Sequence, residues 1–250
     1  MFVLIQWSTE GRFLPAIEET ELLRVPFWQV ELPRGRAFSS LRERTACRIA
    51  AARLRRLGVA RAVFPEEFSH ERAFCTAGIL PVETGGFVRK QAAEIAQAHM
   101  GVCGLSPGTA VIAVSAQRMT AEVERAVGRL CIRNRYVRLM VPGDHSGFCR
   151  RLRREYGAAV VQAEGQGTIH EVDYLVCFDQ REDLPEQLPV LELYSGGVLP
   201  RELIPHLPPD MEEQLPTDSC RLQLLSALWQ VGRLRLTQCR WEAVGGPAGT

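Results

Sequence analysis

Lysine is nearly missing from this chain: Lys90 is the only one among 30 basic residues, and arginine supplies the rest. With arginine go many alanines, glycines and prolines, a composition that reads as a GC-rich coding genome rather than as a guanidinium-specific role. Excess charge of either sign is also missing. The 29 acidic residues leave a net charge of +1, which excludes a global pull toward nucleic acid or an anionic membrane surface. No C-x-x-C pair occurs, so the usual zinc and thioredoxin signatures are excluded. The 8 cysteines include a run at intervals of 28 (47, 75, 103 and 131), but their neighbours share nothing, so the interval marks no repeat. Most lie among apolar residues, where free cysteine acts as a small core hydrophobe, and this fits a reducing cytoplasm. No apolar stretch approaches the length that spans a bilayer. Met1–Trp7 is apolar from the start but lacks a basic leader and a small-residue cleavage site, so a cytoplasmic location is expected.

What is present is an ordinary globular composition, 46% apolar and 24% charged over 250 residues, enough for one large α/β domain or two small ones. The organising stretch runs from Thr109 to Pro142. An apolar run (Thr109–Val114) is followed by a polar turn, a helix-period segment (Thr120–Cys131) and a second apolar run (Tyr136–Val141). Further strands are expected at 2–7, 27–32, 59–64, 158–162, 174–178 and 190–194, with an irregular edge piece at 79–83. Residues 8–26 fit no pattern. Ser40–Glu43 has the form of a capping box opening a helix that buries Cys47, Ala50, Leu54 and Leu57 and ends at Gly58. Helices are expected also over 65–74, after Gly85–Gly86, and over 146–156 with Phe148, Leu152 and Tyr156 inward. Residues 165–171 read as a weak connector and 195–217 as a proline-rich crossover able to return the chain to another domain. The helix over 218–231 is apolar nearly all round, so it is buried or covered by a partner. A final edge strand is expected within 233–241.

Strands alternating with helices predict an α/β protein: a Rossmann-like parallel sheet in the second lobe and a smaller α/β first lobe. The glycines of 101–108 mark the boundary. The expected division is 1–105, 106–215, a C-terminal helix and edge strand over 216–242, and a disordered tail over 243–250.

A dinucleotide fold turns from strand to helix on G-x-G-x-x-G, so that bare backbone can approach a pyrophosphate. Here those positions hold Ser115, Gln117 and Thr120, and Glu122 and Glu124 occupy the positive end of the helix. Both features oppose a conventional NAD site. Ligands in open α/β sheets still bind beyond the carboxyl ends of the strands. Candidate ligand-binding residues are therefore Ser115, Gln117, Arg118, Thr120, Asp144, His145, Asp179 and Ser195, gathered in a cleft between the lobes.

Other groups have simpler readings. Asp144 or Ser146 caps a helix rather than serving His145 in acid–base work. His145 and Cys149 are spaced to share a metal or form a thiolate–imidazole pair, but no third ligand or nucleophile motif accompanies them, and no metal is expected. Arg150, Arg151, Arg153 and Arg154 form a solvated helix face without interleaved aromatics, so no nucleic-acid partner is expected. Glu66 and His70 are spaced as a surface ion pair, and His99 as a core-edge histidine. His170 and His206 lie in connectors without a nameable partner.

The two-lobe layout is similar to that of shikimate dehydrogenase in arrangement, which would imply a nicotinamide cofactor. The segments Val114–Thr120 and Arg151–Gly157 resemble those of a Rossmann-like family of Gram-positive anaerobic bacteria with no assigned activity. Three readings follow. The first is a non-catalytic Rossmann-like module holding a small ligand or a partner in the cleft. The second is an NAD(P)- or nucleotide-dependent enzyme with a degenerate glycine motif. The third is a scaffold, a homodimer for instance, associating through the C-terminal apolar helix.

Overall fold

The computed structural model describes residues 1–8, 14–34, 40–163, 171–182, 184–195 and 197–244. The Ser40 side chain of the capping box, His170 with most of the 165–171 connector, and the tail from residue 245 lie outside the described residues. The chain forms two compact units, Met1–Thr84 with Leu207–Cys239, and Gly85–His206 with Arg240–Thr250.

The first unit opens with strands β1 (Phe2–Trp7), β2 (Ala16–Leu22) and β3 (Val25–Leu32). Helix α1 (Ser40–Arg56), strand β4 (Arg61–Val63), helix α2 (Glu71–Thr76) and strand β5 (Leu80–Pro81) follow. The sheet order is β2-β3-β1-β4-β5, parallel except for the β2–β3 hairpin. β2 lies inside the stretch that carries no readable pattern. Its turn is the two-residue Leu23–Arg24, both at positive φ (49° and 63°), where glycine or asparagine would normally signal a hairpin. Pro81, which has no amide to donate, sits on the edge strand as its chemistry requires.

Val3, Ile5, Val30 and Leu32 pack on Cys47, Ala50 and Leu54 of α1 and on an aromatic group of Phe64, Phe68 and Phe74. Leu57, expected in this core, is 46% exposed. The amide of Val59 reaches back to the Leu54 carbonyl (3.1 Å) and that of Gly58 to Arg55 (3.1 Å), a Schellman ending with Gly58 at φ 72°. That geometry buries Val59 against the helix end and turns Leu57 outward.

The second unit begins with helices α3 (Gly85–Lys90) and α4 (Ala92–Val102). It continues through β6 (Val111–Ser115), α5 (Ala121–Arg133), β7 (Tyr136–Met140), α6 (Ser146–Tyr156), β8 (Ala159–Gln162), β9 (Tyr174–Cys177) and β10 (Val190–Glu192). All five strands are parallel in the order β10-β9-β6-β7-β8. The chain thus winds outward from β6 in one direction, then returns to its other side for β9 and β10. The carboxyl ends of β6 and β9 flank the reversal point of a doubly wound, Rossmann-like sheet. All four residues of β9 are buried, as a central parallel strand covered on both faces requires. Helix α5 buries the stripe Val123, Ala126, Val127, Leu130 and Cys131. Tyr156, expected inward, is 44% exposed. It lines an open groove between α5 and α6 instead.

The division between units falls at Thr84–Gly85 rather than in the glycine-rich 101–108 segment. Helix α4 belongs with the second unit because it packs on α5 and β9. Its His99 Nδ1 meets the Tyr174 hydroxyl at 2.8 Å, and its Glu94 pairs with Arg129 of α5.

The proline-rich stretch is not a bare crossover. It contains β11 (Leu203–His206) and the short helix α7 (Pro209–Glu212). Helix α8 (Arg221–Gln230) then lies in the first unit. There the Phe64 amide donates to Gln223 Oε1 (2.8 Å) and Ser226 Oγ donates to the Glu83 carbonyl (2.6 Å). Leu224 to Leu228 are buried by the chain itself, so the exposed second face that the scaffold reading needs is absent over those residues. The edge strand expected within 233–241 starts later. A 3-10 turn (Leu236–Gln238) precedes β12 (Arg240–Ala243), which pairs antiparallel with β11. Among the described residues, no helix is long and apolar enough to cross a membrane.

Candidate functional site

The second unit has a cavity of about 690 Å³ at the carboxyl ends of its parallel strands. Four strand ends build it. β6 supplies Ser115, Ala116 and Gln117. The segment after β7 supplies Met140 to Asp144, the end of β8 supplies Gln162 and Ala163, and the segment after β9 supplies Asp179 to Arg181. The position follows from topology, since the loops on either side of the reversal point diverge and leave space between them.

The β6–α5 turn has an unusual occupant. The Gln117 amide donates to Asp179 Oδ2 at 2.8 Å. Arg181, two residues on, donates from Nη1 to Ser115 Oγ at 2.9 Å. Ser115 is only 5% exposed, so this bond satisfies a hydroxyl that would otherwise be costly to bury. Thr120 caps α5, its Oγ1 accepting the Val123 amide (3.3 Å). The loop after β9 therefore reaches across to the first strand and holds the turn where a glycine-rich loop would receive a ligand.

The β7–α6 segment is held from β8. The His145 amide donates to Gln162 Oε1 (2.8 Å), and Gln162 Nε2 donates to the Gly143 carbonyl. Asp144 Oδ1 accepts the Ser146 amide at 2.9 Å. The Ser146 amide, and next its hydroxyl, hold the Asp144 carboxyl below the usual carboxylate range. Asp144 is therefore ionised at neutral pH and holds the Ser146 amide from the position before the N-cap, which is His145 and carries no side-chain capping bond of its own. The His145 ring points to the Pro142 carbonyl (Nε2 to O, 2.9 Å). Cys149 is buried and its thiol is pushed up by that burial, which disfavours a thiolate–imidazole pair with His145.

Of the eight candidates, Ser115, Gln117, Asp144 and Asp179 line this cavity. Arg118 and Thr120 line a smaller one of about 270 Å³ that shares Ala116 and Asp179 with it. His145 and Ser195 lie on neither lining. Residues that sequence reasoning missed are Arg181, Gln162 and Arg89. Arg89, on α3, donates from Nε to the Leu193 carbonyl (2.8 Å) and from Nη2 to that of Phe178 (3.2 Å), tying together the ends of β9 and β10. Arg181 could have been found from its spacing to Asp179 after a buried strand. Nothing in the local sequence marks Gln162 or Arg89.

The remaining groups are structural. His70 pairs with Glu43 (3.2 Å) rather than Glu66, because α2 begins only at Glu71. Arg153 donates to the Val160 carbonyl (2.7 Å) and Arg151 lies over the Phe148 ring, while the arginines of α6 stay exposed. No group of three His, Cys, Asp or Glu residues is placed to hold a metal ion among the described residues.

No protein-family model matches the chain, and no curated protein matches it. Among solved structures it is similar to the crystal structure of L-tryptophan dehydrogenase from Nostoc punctiforme, at 13% identity and a TM-score of 0.27. That likeness covers 61% of this chain and 43% of the dehydrogenase chain, so the chain spans less than half the length of this relative.

Proposed function

We propose that the second unit is a Rossmann-like module that binds a small ligand, with the cavity at the carboxyl ends of β6 to β9 as its site. The observation that carries this is the cavity itself, about 690 Å³ at the point where strand order reverses. Pockets for small molecules have volumes of this order and occur at such reversal points. A binding role without chemistry is supported by what the polar side chains on the lining do. Asp179, Arg181, Asp144 and Gln162 each hold a loop amide, carbonyl or hydroxyl of the chain. The test is a thermal-shift screen of small metabolites on the wild type and on Ala163→Trp, which places an indole on the cavity lining and obstructs it. Ligands that bind the folded chain and not the unfolded one raise the melting temperature. Hits lost in the tryptophan variant support the reading, and a screen without any cavity-dependent hit overturns it.

A nucleotide-dependent enzyme is the second reading. It is favoured by Asp144, which follows the second strand of the sheet, where dinucleotide folds place a ribose-binding acid. Quenching of NADH fluorescence that depends on Asp144 would support it.

A further inference from the structure

We infer that Asp179 sets the ligand class of this cavity, making it a site for a neutral or cationic, phosphate-free molecule; this rests on the cavity being a ligand site, as proposed above. A strand-to-helix turn receives phosphate through main-chain N–H groups that are free to point at it. Here the Gln117 amide is already donated to the Asp179 carboxylate at 2.8 Å. An arriving phosphate would have to displace that carboxylate and then lie beside it. Glu122, in the first turn of α5, adds a negative charge at the helix start, on the lining of the smaller adjoining cavity that it shares with Arg118 and Arg89. The cationic side chain on the lining, Arg181, is directed to Ser115 Oγ at 2.9 Å. Asp144, held ionised at the end of β7, supplies a further carboxylate.

The lining thus presents two carboxylates against one guanidinium, over apolar walls that include Met140 and Val141. That combination suits a ligand with an apolar body and hydroxyl or ammonium donors. It penalises a phosphate, which brings negative charge and acceptors to a turn that offers acceptors.

The experiment compares ADP with adenosine by titration calorimetry on the wild type, Asp179→Asn and Asp179→Ala, with circular dichroism to confirm folding. Asparagine removes the charge and keeps an acceptor for Gln117, so it guards against loss of structure in the alanine variant. The wild type is expected to bind ADP no tighter than adenosine. ADP should tighten about tenfold in Asp179→Asn and further in Asp179→Ala, with adenosine changed by less than about threefold. Wild-type binding of ADP at least about tenfold tighter than adenosine overturns the inference, as does ADP affinity unchanged in both variants. If the wild type binds neither probe, a gain of ADP binding in either folded variant sustains the inference and its absence in both overturns it. Cavity-dependent hits in the thermal screen together with wild-type preference for ADP would remove this inference alone. A thermal screen without any cavity-dependent hit, together with no gain of ADP binding in either variant, would remove the binding reading and this inference with it.

Discussion

Gln162, the last residue of β8, accepts the main-chain amide of His145 at 2.8 Å through its side-chain oxygen. Its side-chain nitrogen donates to the Gly143 carbonyl. One side chain therefore spans the segment that carries Asp144 on the cavity lining. Gly143 is at φ 100°, a conformation only glycine adopts without strain, so the segment has few alternative paths. Gln162→Ala removes both bonds at once. Urea unfolding should show a loss of about 1–2 kcal/mol, and any cavity ligand should bind more weakly. An unchanged midpoint would mean that water replaces the side chain at no cost.

His99 gives the second unit an acid-sensitive element. Burial lowers its pKa from the ordinary 6.5, and the nearby Glu202 carboxylate only partly opposes this. Its partner Tyr174 is fully buried and its phenol is pushed above the usual range by that burial, so the hydroxyl keeps its proton beside Nδ1. The sign follows from proton uptake. As pH falls below 6.5 the unfolded chain binds a proton at this histidine while the folded chain does not. Stability should therefore decline with acidification below about pH 6.5 and be insensitive to this group above it. His99→Gln should flatten that part of the profile in urea midpoints taken across the window. Tyr174→Phe, which leaves Nδ1 without its partner, should cost about 1–2 kcal/mol.

The β2–β3 turn stores backbone strain. Leu23 and Arg24 both sit at positive φ, and the Leu23 carbonyl accepts Arg233 Nε at 2.6 Å. A left-handed conformation costs an ordinary residue about 1–2 kcal/mol, so Arg24→Gly should stabilise the first unit by about 0.5–1 kcal/mol net of the entropy glycine adds to the unfolded chain. Leu23→Gly should gain less or nothing, because Leu23 is 8% exposed and its burial would be lost. Chemical denaturation of the two variants in parallel would test the ordering.

The cysteines should separate by burial under native alkylation. Cys47 and Cys131 are buried, and desolvation pushes both thiols up to about 12. Cys103 is exposed, although its local desolvation and then Glu202 still raise its thiol. Iodoacetamide followed by peptide mass spectrometry should find Cys103 modified well before Cys47 or Cys131, which react only after unfolding. Equal labelling of Cys47 in the native protein would contradict its place in the α1 core.

Much of the architecture is legible in residue order. The apolar runs that became β6 and β9 are continuous, as strands covered on both faces must be, while Arg138 interrupts that of β7. The stripe on α5 has helical period, and Thr120 and Gly157 act as the cap and stop their chemistry suggests. β2 escaped because its hairpin uses leucine and arginine at positions that usually carry glycine. The unit boundary escaped because a glycine-rich segment marks where a chain bends, and says nothing of which neighbours a helix will pack on.

The candidate site divides in the same way. The sequence alone determined that the β6–α5 turn has serine, glutamine and threonine in place of glycines, that two glutamates follow in the helix, and that strand ends would collect Ser115, Gln117, Asp144 and Asp179. These are local facts, set by residue type and by spacing along one strand and helix. Only the tertiary structure decided that Asp179 would occupy the Gln117 amide, that Arg181 would bond Ser115 from 66 residues away, and that Gln162 would hold the loop beside Asp144. The first two join strand ends 62 and 66 residues apart, and the third joins β8 to the loop after β7 across the intervening helix. Their partners are chosen by the order in which the strands pack, which no local pattern encodes.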